Sequence, residues 1–191
     1  MAGAGGRWAH ESAARVSRGT ILGVAPPVVI VTGVSGAGKT TIAKALATRL
    51  GWTFEEGDRL HPKANIAKMK SGQPLDDADR APWLAAIGRW IDARGKVGKP
   101  AVISCSALKR AYRAQLTGGR PQVRMVYLHG SQALIAERLS GRRHHFMPPS
   151  LLGSQFHDVQ PPATDEGVLT IQIDQSIEAQ VGEIIARLRL A

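Results

Sequence analysis

Val28-Val29-Ile30-Val31-Thr32, followed directly by Gly33-Val34-Ser35-Gly36-Ala37-Gly38-Lys39-Thr40, is the stretch on which the fold turns. The first part is apolar and β-branched and reads as a buried strand. The second fits the pattern G-x-x-x-x-G-K-[ST]. Beyond it Ile42, Ala45, Leu46 and Leu50 recur at helical spacing. A strand, a glycine-rich loop and a helix in that order form a phosphate cradle. The glycines let successive backbone N–H groups turn inward, and the helix adds its positive N-terminal end. Backbone groups from Gly33 to Lys39 would hold the phosphates, with Thr41 next in line. The Lys39 ammonium would reach the β- and γ-phosphates, and the Thr40 hydroxyl would sit on Mg²⁺. A nucleoside triphosphate is the implied ligand, with ATP as donor.

Working outward, 191 residues suit one α/β domain with a full core. The longest apolar run, around 24–31, contains Pro26 and Pro27 and falls short of a membrane span. The one cysteine, Cys105, excludes an internal disulfide and suits a reducing cytoplasm. It ends the apparent buried strand Val102-Ile103-Ser104-Cys105, which reads as core packing rather than a nucleophile. The formal charge of +10 raises the question of a nucleic-acid partner. The basic residues are scattered, however, and no recognition module or interleaved aromatic run accompanies them. Basic side chains in a cleft for ATP and an anionic acceptor are the preferred reading. Residues 1–25 are rich in Ala, Gly, Ser and Arg with Glu11 the lone acid, so a disordered N-terminal extension is expected.

From Val28 onward strands and helices alternate. Strands are expected at 28–31, 52–56, 101–105, 123–128 and 168–173. Helices are expected after the phosphate loop, from Pro62 to near Gly72, and through Trp83–Ile91. Others are expected at 108–117 and 131–140, and through Ile177–Leu188. Such alternation predicts a parallel sheet with helices on both faces and right-handed crossovers. Ligands then gather at the carboxyl ends of the strands, which brings Gly33–Thr40, Glu56–Asp58, Ser104–Lys109 and His129 to one rim.

The segment from Gly57-Asp58-Arg59-Leu60-His61-Pro62 to Asp79-Arg80-Ala81-Pro82-Trp83-Leu84 is unusually polar for a neighbour of the donor loop. A carboxylate at Asp58, where the second strand ends, would orient or deprotonate an acceptor hydroxyl. Taken singly, Asp58 reads equally well as a turn or cap residue and Arg80 as a solvated charge. As a whole, residues 57–84 resemble the gluconokinase family, whose pattern G-D-x-x-H-P-x-x-N-x-x-K-M-x-x-G-x-P-L-x-D-x-D-R-x-P-W-L they match throughout. Cys105-Ser106-Ala107-Leu108-Lys109 with Tyr112-Arg113 agrees too, as does His145-Phe146-Met147-Pro148 with Leu151, Leu152, Ser154, Gln155 and Phe156. The resemblance extends over about residues 28–190.

The resemblance implies a three-layer P-loop kinase fold like that of adenylate and shikimate kinases. A five-stranded parallel sheet would be flanked by helices over residues 26–191, with a lid at about 140–150. It implies transfer of the ATP γ-phosphoryl to the 6-hydroxyl of D-gluconate, giving 6-phosphogluconate and ADP in the cytoplasm, and it suggests a homodimer. In related kinases an Asp organises the Mg²⁺ shell where this chain carries Glu56, one methylene longer. Arg80, Lys109 and Arg113 are candidates to clasp the gluconate carboxylate, with His61 and Lys63 as further donors. Which Arg does so stays open, as does the acceptor, since a related kinase acting on another sugar acid or on shikimate is the runner-up. Arg142 or Arg143 in the lid, and Arg138 before it, would close on the phosphates. Adenine contacts are expected from the lid and the loop near Asp174–Ile177. The adjacent His144 and His145 are not read as a zinc site, because no third ligand lies at a fitting spacing.

Overall fold

The computed structural model describes residues 25–140 and 155–190. The expected N-terminal extension and most of the expected lid, with Arg142, Arg143, His144 and His145, lie outside the described residues. Five strands form one parallel sheet: β1 (Val28–Thr32), β2 (Thr53–Glu56), β3 (Ala101–Ser104), β4 (Val123–His129) and β5 (Leu169–Gln172). The spatial order is β2-β3-β1-β4-β5, with β1 central and in register with β3 from Val28↔Ala101 and with β4 from Val28↔Val123. The helices are α1 (Lys39–Leu50), α2 (Lys63–Lys70), α3 (Asp77–Lys96), α4 (Arg110–Thr117), α5 (Gln132–Ser140) and α6 (Ile177–Leu188). The expected doubly covered parallel sheet is present.

Alternation along β1 explains both cores. Val29 and Val31 point into one cluster with Ile42 and Leu46 of α1 and Val181 and Ile184 of α6. Val28 and Ile30 point into the other, with Trp83, Ile87 and Ile91 of α3 and Leu116 of α4. A strand buried on both faces needs apolar side chains at every position, hence its unbroken β-branched run. Cys105 belongs to the second cluster and is fully buried. Burial pushes its thiol up to about 12, so it packs and does not react.

The fourth helix starts two residues later than expected. Lys109 is extended at φ −90°, ψ 145°, and Ala107 takes a positive φ of 21°. The Leu108 carbonyl is already used, accepting from the Gln160 N–H and the Arg113 guanidinium. The loop after β3 thereby stays non-helical and lies along the rim where the strands end.

Candidate active site

On the donor side, the loop from β1 to α1 depends on glycine where the chain crowds α5. Gly36 has φ +84°, and a Cβ there would stand 2.8 Å from Leu139 Cγ. Helix α1 begins at Gly38 without a side-chain cap and without an acid in its first turn. Its first N–H groups are therefore suited to an anion. Lys39 folds along the loop, its Nζ donating to the Val34 carbonyl at 3.1 Å. The Thr40 hydroxyl donates to Glu56 Oε2 at 2.7 Å, and the Ser104 hydroxyl donates to Glu56 Oε1. Glu56 thus joins the ends of β2 and β3 to the first turn of α1. The Ser35 N–H donates to Gln155 Oε1 at 2.6 Å, a buried contact across 120 positions of sequence.

The acceptor side starts where β2 ends. Residues Gly57–Leu60 make a 3₁₀ turn that carries Asp58. Gly57 lies so close to β3 that a Cβ would run into the Ser104 carbonyl oxygen. Trp83, buried in α3, donates its indole N–H to the Gly57 carbonyl at 2.8 Å. The same ring stacks on His61, centroids 4.3 Å apart and planes at 8°. Burial, and then the positive charge of Arg80, hold the His61 pKa down to about 4. The imidazole is therefore neutral at pH 7. Its Nδ1 faces Asn65 Nδ2 at 3.3 Å, an amide that donates to the Asp79 carbonyl as well. Nδ1 accordingly accepts, and Nε2 carries the proton that can be donated. Helix α3 is held in register by a capping box between Asp76 and Asp79.

A cavity of ≈ 590 Å³ has Arg80, Lys109, Asp77 and Asp158 in its wall. Arg80 donates to the Tyr112 hydroxyl at 3.2 Å and reaches Asp158 at 3.5 Å. Lys109 Nζ bonds Asp77 Oδ1 at 2.6 Å, and the Tyr112 hydroxyl donates to the same oxygen. These two donors hold the Asp77 carboxyl below the usual range, and Asp77 in turn raises Lys109. Two cations lean over the Tyr112 ring, Arg80 at 5.8 Å and Lys109 at 5.6 Å. The two sides adjoin at the end of β3, where Lys39, Glu56 and Asp58 are all within electrostatic reach of Cys105. A carboxylate that can meet an acceptor hydroxyl and the lysine of the phosphate loop thus lie near one another.

Arg113 corrects the sequence reading. It is 2% exposed and donates two hydrogen bonds to Glu166, Nε to Oε2 at 2.7 Å and NH2 to Oε1 at 2.8 Å. Its remaining nitrogen donates to the Leu108 and Gln160 carbonyls, each at 2.9 Å. It ties α4 to the segment 160–166 and does not reach the cavity wall. Lys63 begins α2 with an exposed side chain. Arg138 donates to the Ile173 carbonyl and, with Thr41, lines a smaller cavity of ≈ 290 Å³ beside the phosphate loop. Gln175 and Ile177 line it too, from the loop expected to touch adenine.

Several side chains received no role from the sequence. Gln155, Trp83 and Tyr112 stand inside the quoted motifs, so a signal existed without an assignment. Asp158 carried no signal and Ser104 only its expected place on the rim, because folding alone brings them to Arg80 and Glu56. Among the described residues no group of three or more His, Cys, Asp or Glu is arranged to hold a metal ion, and no helix is long and apolar enough to cross a membrane.

Comparison with known proteins adds the following. A family model described as an AAA domain matches residues 28–160. A gluconokinase of Gluconobacter oxydans is 49% identical over 166 residues, 87% of this chain and 93% of the relative. A sugar kinase structure from a Janibacter species aligns with TM-score 0.83 and 42% identity, covering 87% of this chain and 96% of that one. A gluconokinase structure from Sinorhizobium meliloti aligns with TM-score 0.76 and 43% identity, covering 86% and 93%.

Proposed function

The chain belongs to the gluconokinase family, and on that premise we propose that it moves the γ-phosphoryl of ATP to the 6-hydroxyl of D-gluconate. The observation that carries this reading is the pair of cations, Arg80 and Lys109, in the wall of one cavity, with Asp58 on the turn that follows β2 and Lys39 of the phosphate loop both near the end of β3. A sugar acid needs a cationic end for its carboxylate and polar groups along its hydroxyls. Arg80 offers a planar pair of donors, and Lys109 a point charge. Both are now partnered by Asp158 and Asp77. The gluconate carboxylate competes with Asp158 and Asp77 for these two cations, and Asp77 keeps the Tyr112 hydroxyl as a donor. The neutral His61 donates from Nε2 to a substrate hydroxyl, held flat by Trp83.

Phosphoryl transfer asks mainly for alignment and charge neutralisation. The 6-hydroxyl oxygen attacks the γ-phosphorus, the bond to the β–γ bridging oxygen breaks, and ADP leaves. Asp58 orients the hydroxyl and takes its proton. The Lys39 ammonium and the loop N–H groups neutralise the phosphates, a task also assigned to Arg142, which lies outside the described residues.

Thr40 and Glu56 fit Mg²⁺, because both are hard oxygen donors already hydrogen bonded to each other beside Lys39. One carboxylate and one hydroxyl suffice for an ion that keeps waters and binds substrate phosphates. When bound, Mg²⁺ would supply charge neutralisation at the phosphates. A cytoplasmic setting, where a single free thiol is stable, and a homodimer complete the proposal.

The test is ADP release by the purified chain with ATP and Mg²⁺, measured with gluconate, other sugar acids and shikimate. Turnover is expected with gluconate. Clear turnover with another acid and none with gluconate would replace the acceptor.

A further inference from the structure

The phosphate loop is braced by a side chain from far along the sequence. The Ser35 N–H donates to Gln155 Oε1 at 2.6 Å, and both residues are buried. An N–H can only donate, so this bond decides that the amide oxygen faces the loop. At the next residue, Gly36, Leu139 and Ile135 of α5 leave no room for a Cβ. The stretch from Val34 to Gly36 is thus fixed by α5 and by Gln155. Gln155 is itself presented from a firm base. It opens the helical turn at 155–158. Just beyond, Gln160 donates its N–H to the Leu108 carbonyl at 3.0 Å, and its side chain accepts from the Arg110 N–H at 2.8 Å. The Gln160 carbonyl accepts from the buried Arg113, which is paired with Glu166. The same turn carries Asp158, which reaches Arg80 at 3.5 Å in the wall of the larger cavity. One anchored piece therefore touches both the loop and that cavity.

The point of contact indicates which part of a nucleotide this brace serves. Lys39 Nζ donates to the Val34 carbonyl at 3.1 Å, one residue before Ser35. In a loop of this pattern that lysine reaches the β- and γ-phosphates. The Val34–Ser35 stretch is accordingly the part of the loop beside the terminal phosphate. We propose that Gln155 is a positioning residue for the γ-phosphoryl group. Its amide oxygen fixes this stretch, so that the loop N–H groups and the Lys39 ammonium meet the γ-phosphate without rearrangement. A buried, anchored acceptor suits the task, because phosphoryl transfer asks the protein for positioning rather than covalent chemistry. Gln155 acts through Ser35 and touches no reacting atom. ADP, which lacks the γ-phosphate, should not draw on it. This role needs only that the phosphate loop hold a nucleoside triphosphate, whatever the phosphoryl acceptor.

Binding of ATP and of ADP to the full chain, each with Mg²⁺ and without gluconate, tests it by displacement of a fluorescent ADP analogue. Gln155→Met keeps the length and loses the accepting oxygen. It should weaken ATP about 3–10-fold, the worth of one neutral hydrogen bond, and leave ADP within about twofold of the wild type. Equal weakening of ATP and ADP, as a merely structural role would give, overturns the proposal. So does no weakening of either. A second measurement needs no variant: amide hydrogen exchange of the wild-type chain. The Ser35 amide should exchange slowly without nucleotide, and stay slow with a non-hydrolysable ATP analogue bound. Rapid exchange in either state overturns the proposal even if Gln155→Met fails to fold. Failure of gluconate turnover leaves these outcomes unchanged, so the two readings are judged separately.

Discussion

From Gly33 to Thr40 the donor side is made of consecutive residues and uses mostly backbone, its N–H groups and the open end of α1. The acceptor side is made of side chains from distant places: Arg80 and Asp77 from α3, Lys109 and Tyr112 around α4, and Asp158 from the helical turn at 155–158. Lys39 and Thr40 apart, a backbone cradle tolerates changes in its non-glycine side chains, because the donors are the same in every residue. A side-chain cradle has no such cover. Each of its members depends on an ion pair or hydrogen bond made across the fold. Substitutions on the two sides should therefore fail in different ways, and the contrast can be tested at their junction and at each edge.

The largest effect is expected where the two sides meet. Asp58→Asn should lower kcat by about 10²–10⁴-fold, the usual worth of a positioned acid or base, while ATP binding measured by displacement stays near that of the wild type. Turnover close to wild type would move the proton-accepting role elsewhere and break the proposed link between the sides.

Next come two arginines that look alike in sequence. Arg113→Met leaves Glu166 buried without its partner and should cost about 3–5 kcal/mol of stability in urea unfolding. Arg80→Ala removes a partly exposed pair and should cost about 1 kcal/mol or less. It should nevertheless raise the KM for gluconate by about tenfold or more, the loss of a charged hydrogen bond. If Arg113→Met raised that KM at unchanged stability, its assignment as a strut would be lost.

The smallest effect belongs to His61. Its folded pKa of about 4 lies below the usual 6.5, so between these values the unfolded chain binds a proton that the folded chain refuses. Stability falls as pH drops through that window, by on the order of 1–2 kcal/mol at pH 5 relative to pH 7.5. His61→Gln should remove this part of the slope when urea midpoints are compared at the two pH values. Identical slopes in both proteins would mean that the imidazole is not held neutral against Trp83.

The fold was largely legible because its signals are local. β-branched runs mark the buried strands, and the glycines and Lys39 mark the loop. The spacing of Ile42, Leu46 and Leu50 marks the helix that follows. The ends of elements were less legible: α4 begins at Arg110 rather than Leu108 because Gln160 and Arg113 engage the Leu108 carbonyl. On the acceptor side the polar motif from Gly57 to Leu84 announced an anion-handling region, yet together with the motif around Lys109 and Arg113 it did not distinguish a substrate ligand from a strut.

By itself, then, the chain's sequence determined the parallel α/β order, the phosphate loop and the membership of a kinase family. Each of these is written in neighbouring residues and in backbone chemistry. Tertiary structure alone decided that Arg113 is spent on Glu166 while Arg80 faces a cavity, and that Gln155 holds the Ser35 N–H. The physical reason is that a side chain's chemistry depends on its burial and its partners. Both are set by segments up to 120 residues away, which no local pattern records.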